Sequence, residues 1–170
     1  MSDFIVRPAT PEDATAILAL HRRVAAEPGG LARQPEEVTE DYVAHAMSMA
    51  ADGGFSFVAV GSDGGLCGEL HCERMKVRIF AHVLTDLTVA VDPAWQGRGV
   101  GSALFRALIE TARRTSPPVR RIELWTGAAN LGAQRLYERL GFKIEGRMVG
   151  RGRLPDGSVD DDIVMGLLLD

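Results

Sequence analysis

Apolar and polar positions in this chain change period several times, and the changes mark out its elements. Phe4-Ile5-Val6-Arg7 alternates and reads as a short first strand. Thr10-Pro11-Glu12-Asp13 then predicts a helix start: a threonine cap, proline at the first helical position and two acids at the positive end of the dipole. Ile17, Leu20, His21 and Val24 recur at helical spacing as its buried stripe, and Pro28-Gly29-Gly30 breaks it. A second helical region is predicted from Glu36 to Met49, with Val38, Tyr42, Ala46 and Met49 on one face. Alternation returns in Phe55–Val60, in Cys67–Met75 after the turn Asp63-Gly64-Gly65, and in 81–91. A helix over 99–115 ends at Ser116-Pro117-Pro118, and a strand over 121–126 follows. Asn130 caps another helix, Gly141 ends it, and strands near Phe142–Gly150 and Ser158–Leu168 are joined by the hairpin turn Leu154-Pro155-Asp156-Gly157. The expected fold is α/β, a mixed sheet of about seven strands with helices on both faces, in one domain spanning 1–170.

Composition narrows the picture only a little. A chain of 170 residues, 46% hydrophobic, with mean hydropathy +0.01, suits one well-buried core. A net charge of −4 does not point to a nucleic-acid partner. The start Met1–Arg7 has no apolar leader core, and no apolar run approaches the ~18 residues of a membrane span, so a cytoplasmic location and no membrane partner are expected. Cys67 and Cys72 are five apart on one strand and should face opposite sides, as single packing or surface residues. His21, His45, His71 and His82 show no metal-ligand spacing, and no metal is expected. Arg113-Arg114 and Arg120-Arg121 read as a solvated rim near the Pro-Pro loop, with help to the nucleotide end of a cofactor as the alternative.

The candidate chemistry starts at Gln96-Gly97-Arg98-Gly99-Val100-Gly101-Ser102, between the 81–91 strand and the next helix. A glycine-rich turn at a helix start lets backbone N–H groups close around an anion, so a phosphate or pyrophosphate is expected there. No lysine follows Gly101, which excludes a Walker loop. Ser102 replaces the third glycine of a dinucleotide fingerprint, which excludes that motif too. A second motif, Asn130-Leu131-Gly132-Ala133-Gln134-Arg135-Leu136-Tyr137 with Gly141-Phe142 beyond it, puts Asn130 and Tyr137 two turns apart on one helix face, with Ala133 between them.

Together the two motifs resemble the GNAT superfamily of N-acetyltransferases over nearly the whole chain. The resemblance implies acetyl-CoA as acyl donor. Its pyrophosphate would lie on Gln96, Gly97, Arg98, Gly99, Val100, Gly101 and Ser102. Its pantetheine arm would run along Leu87, Thr88, Val89 and Val91 of a strand that splays from its neighbour, and Asn130, Ala133 and Tyr137 would also touch it. The same resemblance makes Tyr137 the general acid to the leaving sulfur. The phenol suits that role, since its ordinary pKa near ~10 lies close to that of a thiol near ~8.5.

The base is open. Some members place a glutamate five residues before the asparagine, where this chain has Trp125. Glu123 on the same strand, and Asp86 and His82 on the central strand, stand as equal candidates, beside a water relay. The ending Phe142–Arg147 and Asp156–Met165 resembles bacterial members acting on free amino acids and small amines. Asp160–Asp162 also reads as a solvated strand edge. The expected activity is acetyl transfer to a small primary amine by direct attack in a ternary complex. A peptide or protein N-acetyltransferase and a non-catalytic acyl-CoA-binding protein are the alternatives, and a homodimer stays open as the assembly.

Overall fold

The computed structural model describes residues 3–170, so Met1 and Ser2 of the N-terminal reading lie outside the described residues. The strands are β1 (Phe4–Pro8), β2 (Phe55–Gly61), β3 (Leu66–Arg74), β4 (Val83–Val91), β5 (Arg121–Gly127), β6 (Lys143–Arg153) and β7 (Val159–Leu168). The helices are α1 (Ala14–Ala25), α2 (Glu40–Ala51), α3 (Val100–Arg114) and α4 (Leu131–Arg139). One sheet in the order β1-β2-β3-β4-β5-β7-β6 joins all seven strands. Every neighbouring pair is antiparallel except β4 and β5, which are parallel, as a connection through α3 requires.

The helices lie on both faces because successive residues of the central strands point to opposite sides. Val58 packs with Ile17 and Val43 under α1 and α2. Its neighbours Phe57 and Ala59 join the larger core of Leu70, Leu84, Leu104, Phe105, Leu108, Ile122 and Phe142 beneath α3 and α4. Among the described residues no helix is long and apolar enough to cross a membrane.

Several expectations need correction. The first helical region opens as a single 3-10 turn, Pro11–Asp13, where the Asp13 carboxylate accepts from Thr10 N–H at 2.8 Å and from Arg7. The second helix begins later than Glu36, because Thr39 caps it by accepting from Tyr42 N–H at 3.2 Å. Cys67 and Cys72 are both buried in the same core cluster rather than on opposite faces. Ala59 pairs with Gly68 and Val60 with Leu66, so β3 carries an extra residue at Cys67, and this bulge resets the alternation. The Asp160–Asp162 run is no sheet edge, since β7 lies between β5 and β6, with Asp161 on Arg147 and Asp162 facing Arg151.

Gly68 seats the start of α3 on the sheet. A Cβ there would stand 2.7 Å from Val100 Cγ1 and 3.0 Å from Leu104 Cδ1, so only glycine allows this approach. Gly68→Ala is expected to lower stability by about 1–3 kcal/mol, read as a lower denaturant midpoint. Because Val100 is the first residue of α3, the glycine turn that precedes it should shift as well.

Candidate active site

The glycine turn has the form of an anion cradle. Gly97 and Gly99 take φ of +73° and +86°, values that favour glycine, and a Cβ on either would meet nothing within 4 Å. Ala103 N–H donates to Gly99 O at 3.0 Å, while the N–H groups of Gly97 through Ser102 have no backbone acceptor among the described residues. They sit at the positive end of the 15-residue helix α3. Gly101 serves differently: its Cβ position lies 3.3 Å from Leu136 Cδ2, so it lets α4 approach α3. The Arg98 guanidinium stacks 4.1 Å over Trp95 and pairs with Asp3, and the Gln96 amide reaches back to Val91 O. The Gln96 N–H already donates to Pro93 O at 3.4 Å, whereas the Arg98 N–H has no backbone acceptor among the described residues.

A gap opens beside this turn. β4 and β5 pair only at Val83–Arg121 and Leu84–Ile122. From Thr85 to Val91, β4 is bonded only on its β3 side, so alternate residues among Leu87, Thr88, Val89 and Val91 turn N–H and C=O groups into the gap. The cause is local. His71 pairs with Thr88 but Glu73 with Thr85, so β4 carries an extra residue, and Asp86 takes φ +47° in that bulge. A non-glycine residue there stores strain, which aspartate tolerates better than most.

Tyr137 lies on α4, its ring packed on Phe105 (5.3 Å between centroids) and Phe142 (6.0 Å). Burial pushes its phenol up to about 12, so it remains protonated at neutral pH. Its hydroxyl has no protein hydrogen-bond partner, yet no buried side-chain oxygen among the described residues is unsatisfied. The hydroxyl therefore keeps access to the surface. Asn130 Oδ1 accepts from Ala133 N–H at 3.1 Å and so caps α4, one turn before the half-buried Ala133.

The three candidate bases separate in space. Glu123 faces the mouth of the gap, but its oxygens already accept from Thr85 Oγ1 at 3.2 Å and Arg121 Nε at 2.9 Å. Arg121 also pairs with Glu145 on β6. Asp86 stands exposed at the bulge, its carboxylate without a hydrogen bond among the described residues. His82 lies in the turn before β4, exposed, and contributes its carbonyl to Arg120 and Arg121 N–H. The shared parity expected for His82 and Asp86 is lost, because His82 lies outside the strand and Asp86 within the bulge.

One group of polar residues escaped the sequence reading. Glu69 and His71, adjacent on one face of β3, meet His21 of α1 beneath Tyr42 of α2. Glu69 Oε2 lies 2.8 Å from His21 Nε2 and 3.0 Å from His71 Nδ1, and Oε1 accepts from Ser56 Oγ at 3.0 Å. Tyr42 Oη lies 3.4 Å from His21 Nδ1. Burial opposes the Glu69 charge, but the two histidines outweigh it and hold the carboxyl well below the usual range. Burial and the Glu69 charge push the Tyr42 phenol up to about 12. Ligating atoms of Glu69, His21 and His71 lie within 4.8 Å of one another. The Glu69 oxygens join both histidines in one hydrogen-bonded network. The signal was in the chain: a Glu-x-His pair at strand spacing within an otherwise apolar run.

Comparison with known proteins agrees with this geometry. L-amino acid N-acetyltransferase AaaT of Escherichia coli K12 is 38% identical over 84 residues, which cover 49% of this chain and 51% of that protein. The chain spans about half, or less, of the length of the curated relatives it matches. A GCN5-related N-acetyltransferase structure from Kribbella flavida superposes with TM-score 0.83 at 29% identity, over 98% of each chain. The structure of yncA from Salmonella typhimurium with its cofactor acetyl-CoA shares the fold at TM-score 0.84 and 24% identity, over 99% of this chain and 95% of that one. The model of the Acetyltransferase (GNAT) family matches residues 19–142, spanning the anion cradle, the gap beside β4 and Tyr137, and the chain belongs to that family.

Proposed function

We propose that this protein transfers the acetyl group of acetyl-CoA to the primary amine of a small molecule, with free amino acids as the first acceptors to try. The observations that support this reading are three features of one domain: N–H groups at Gly97–Ser102 without backbone acceptors, the gap beside β4, and a buried Tyr137 ring whose hydroxyl has no protein partner. A thioester acyl donor with a pyrophosphate would use all three, the first two to bind and the third to leave. The amino-acid acceptor is supported by the similarity to AaaT.

In this reading the pyrophosphate lies on the N–H groups of the turn and the pantetheine arm bonds along Leu87–Val91. A backbone N–H of β4 polarises the thioester carbonyl and stabilises the oxyanion of the tetrahedral intermediate. The acceptor attacks directly in a ternary complex. A ping-pong route through Cys67 or Cys72 is disfavoured because both thiols are buried in the core, and burial pushes both up. Tyr137 donates its proton to the departing thiolate.

Thiol release from acetyl-CoA across a panel of amino acids and simple amines tests the reading. Primary amines should release thiol, and the same compounds N-acetylated beforehand should not. Tight acetyl-CoA binding without release from any amine would make the protein a binder of the cofactor instead.

A further inference from the structure

The buried network on β3 lies beside Thr88 of β4, the strand that borders the gap, and its hydrogen bonds decide which nitrogens carry protons. The Glu69 carboxylate can only accept, so the nitrogens that face it, His21 Nε2 and His71 Nδ1, both carry hydrogen. His21 is then complete, since its Nδ1 accepts from Tyr42 Oη. His71 is not. Its Nε2 has no hydrogen-bond partner, while among the described residues no buried side-chain nitrogen lacks one. Nε2 is therefore not fully enclosed by protein atoms, although His71 as a whole is only 2% exposed. An imidazole with Nδ1–H fixed on a buried carboxylate and Nε2 presented as a lone pair is set to accept a proton.

The placement suits that task. His71 is the direct cross-strand partner of Thr88, two residues beyond the Asp86 bulge. It stands one strand spacing, about 4.8 Å, from the edge of β4 that borders the gap. Glu69 and His71 face α1 and α2, while the cofactor motifs belong to α3 and α4 on the other face. An amine approaching from the α1–α2 side would meet the thioester from across the sheet.

On the acetyl-transfer reading above, we propose that His71, oriented by Glu69, is the base that takes the acceptor's proton. His71 Nε2 removes one proton from the acceptor ammonium, freeing the lone pair that forms the C–N bond. The C–S bond breaks with its electron pair on sulfur, which takes the Tyr137 proton. The second proton shed by nitrogen restores the phenol through solvent, and the proton on His71 leaves to solvent. Glu69 is a positioning residue.

Titratable or charged groups face His71 from every element around it: Glu69 on β3, Asp86 on β4, His21 on α1, Tyr42 on α2 and Arg33 in the connector between those helices. Burial and Arg33 lower its pKa, but the charge and hydrogen bond of Glu69, with the charge of Asp86, raise it above the usual histidine value. Activity should therefore rise with pH through a limb lying above that value.

The test is the pH dependence of kcat/KM in the full chain, with the amine that releases thiol fastest. His71→Gln should lower kcat/KM by ~10²–10⁴ and remove the acidic limb, with acetyl-CoA affinity by calorimetry unchanged. Glu69→Gln should keep a limb but move it to lower pH, because the charge that raises it is gone. Triple-resonance NMR of the unsubstituted protein should find His71 titrating at the pKa of the limb, with Nδ1 protonated in the neutral form. A folded His71→Gln protein with the parent limb and rate would overturn the role of His71 alone. So would a His71 that does not titrate at the limb, a result that needs no variant to fold. An unmoved limb in Glu69→Gln would overturn the role of Glu69. No thiol release by the parent from any amine would overturn the acetyl-transfer reading and this role with it.

Discussion

A valine at position 99 is expected to abolish acetyl-CoA binding while the protein stays folded. The Cβ position of Gly99 opens onto free space, so no atom of the fold would be displaced. The penalty within the protein is the left-handed φ of +86°, about 1–2 kcal/mol for a residue with a Cβ. The effect on the ligand is larger. A side chain here stands where the pyrophosphate must meet the N–H groups of Gly97–Ser102. Each hydrogen bond to a charged group contributes about 1.5–3 kcal/mol. Losing two of them weakens binding by ~10²–10⁴-fold. Calorimetry with acetyl-CoA, beside a denaturant curve, separates the two effects. A folded variant with parent affinity would remove the cradle from the proposed function, and so would a parent that prefers NAD or ATP.

Tyr137→Phe is expected to lower kcat by ~10²–10⁴ with little change in acetyl-CoA affinity or stability. The ring contacts with Phe105 and Phe142 persist in phenylalanine. The hydroxyl has no protein partner, so its removal strands no buried group. What is lost is a phenol that stays protonated until pH is far above neutrality, because burial pushes it up to about 12. Such a group keeps its proton, and so can hydrogen-bond the departing sulfur, throughout the working range. A fall in kcat of less than about threefold would make Tyr137 a packing residue and leave the thiolate to depart unaided.

The elements of this protein are determined locally. Alternation marked the strands, the spacing of Ile17, Leu20 and Val24 marked α1, and Gly141 at φ +99° ends α4 as its position in the pattern required. The cradle was legible for the same reason: a glycine-rich turn at a helix start needs only its own backbone to present N–H groups. Bulges were not legible. The extra residues at Cys67 and near Asp86 show only as slips between paired strands, and a slip depends on the partner strand. Each one reversed a facing that strict alternation had implied, for the two cysteines and for His82 with Asp86. The gap beside β4 likewise exists because its parallel pairing stops after Leu84. The His21–Glu69–His71 network is the clearest case. Residues 48 positions apart meet at 2.8 Å there because α1 packs on β3. Sequence periodicity says which face of an element is buried; only the packing of helix on sheet decides which buried groups meet, and a proton can move only between groups that do.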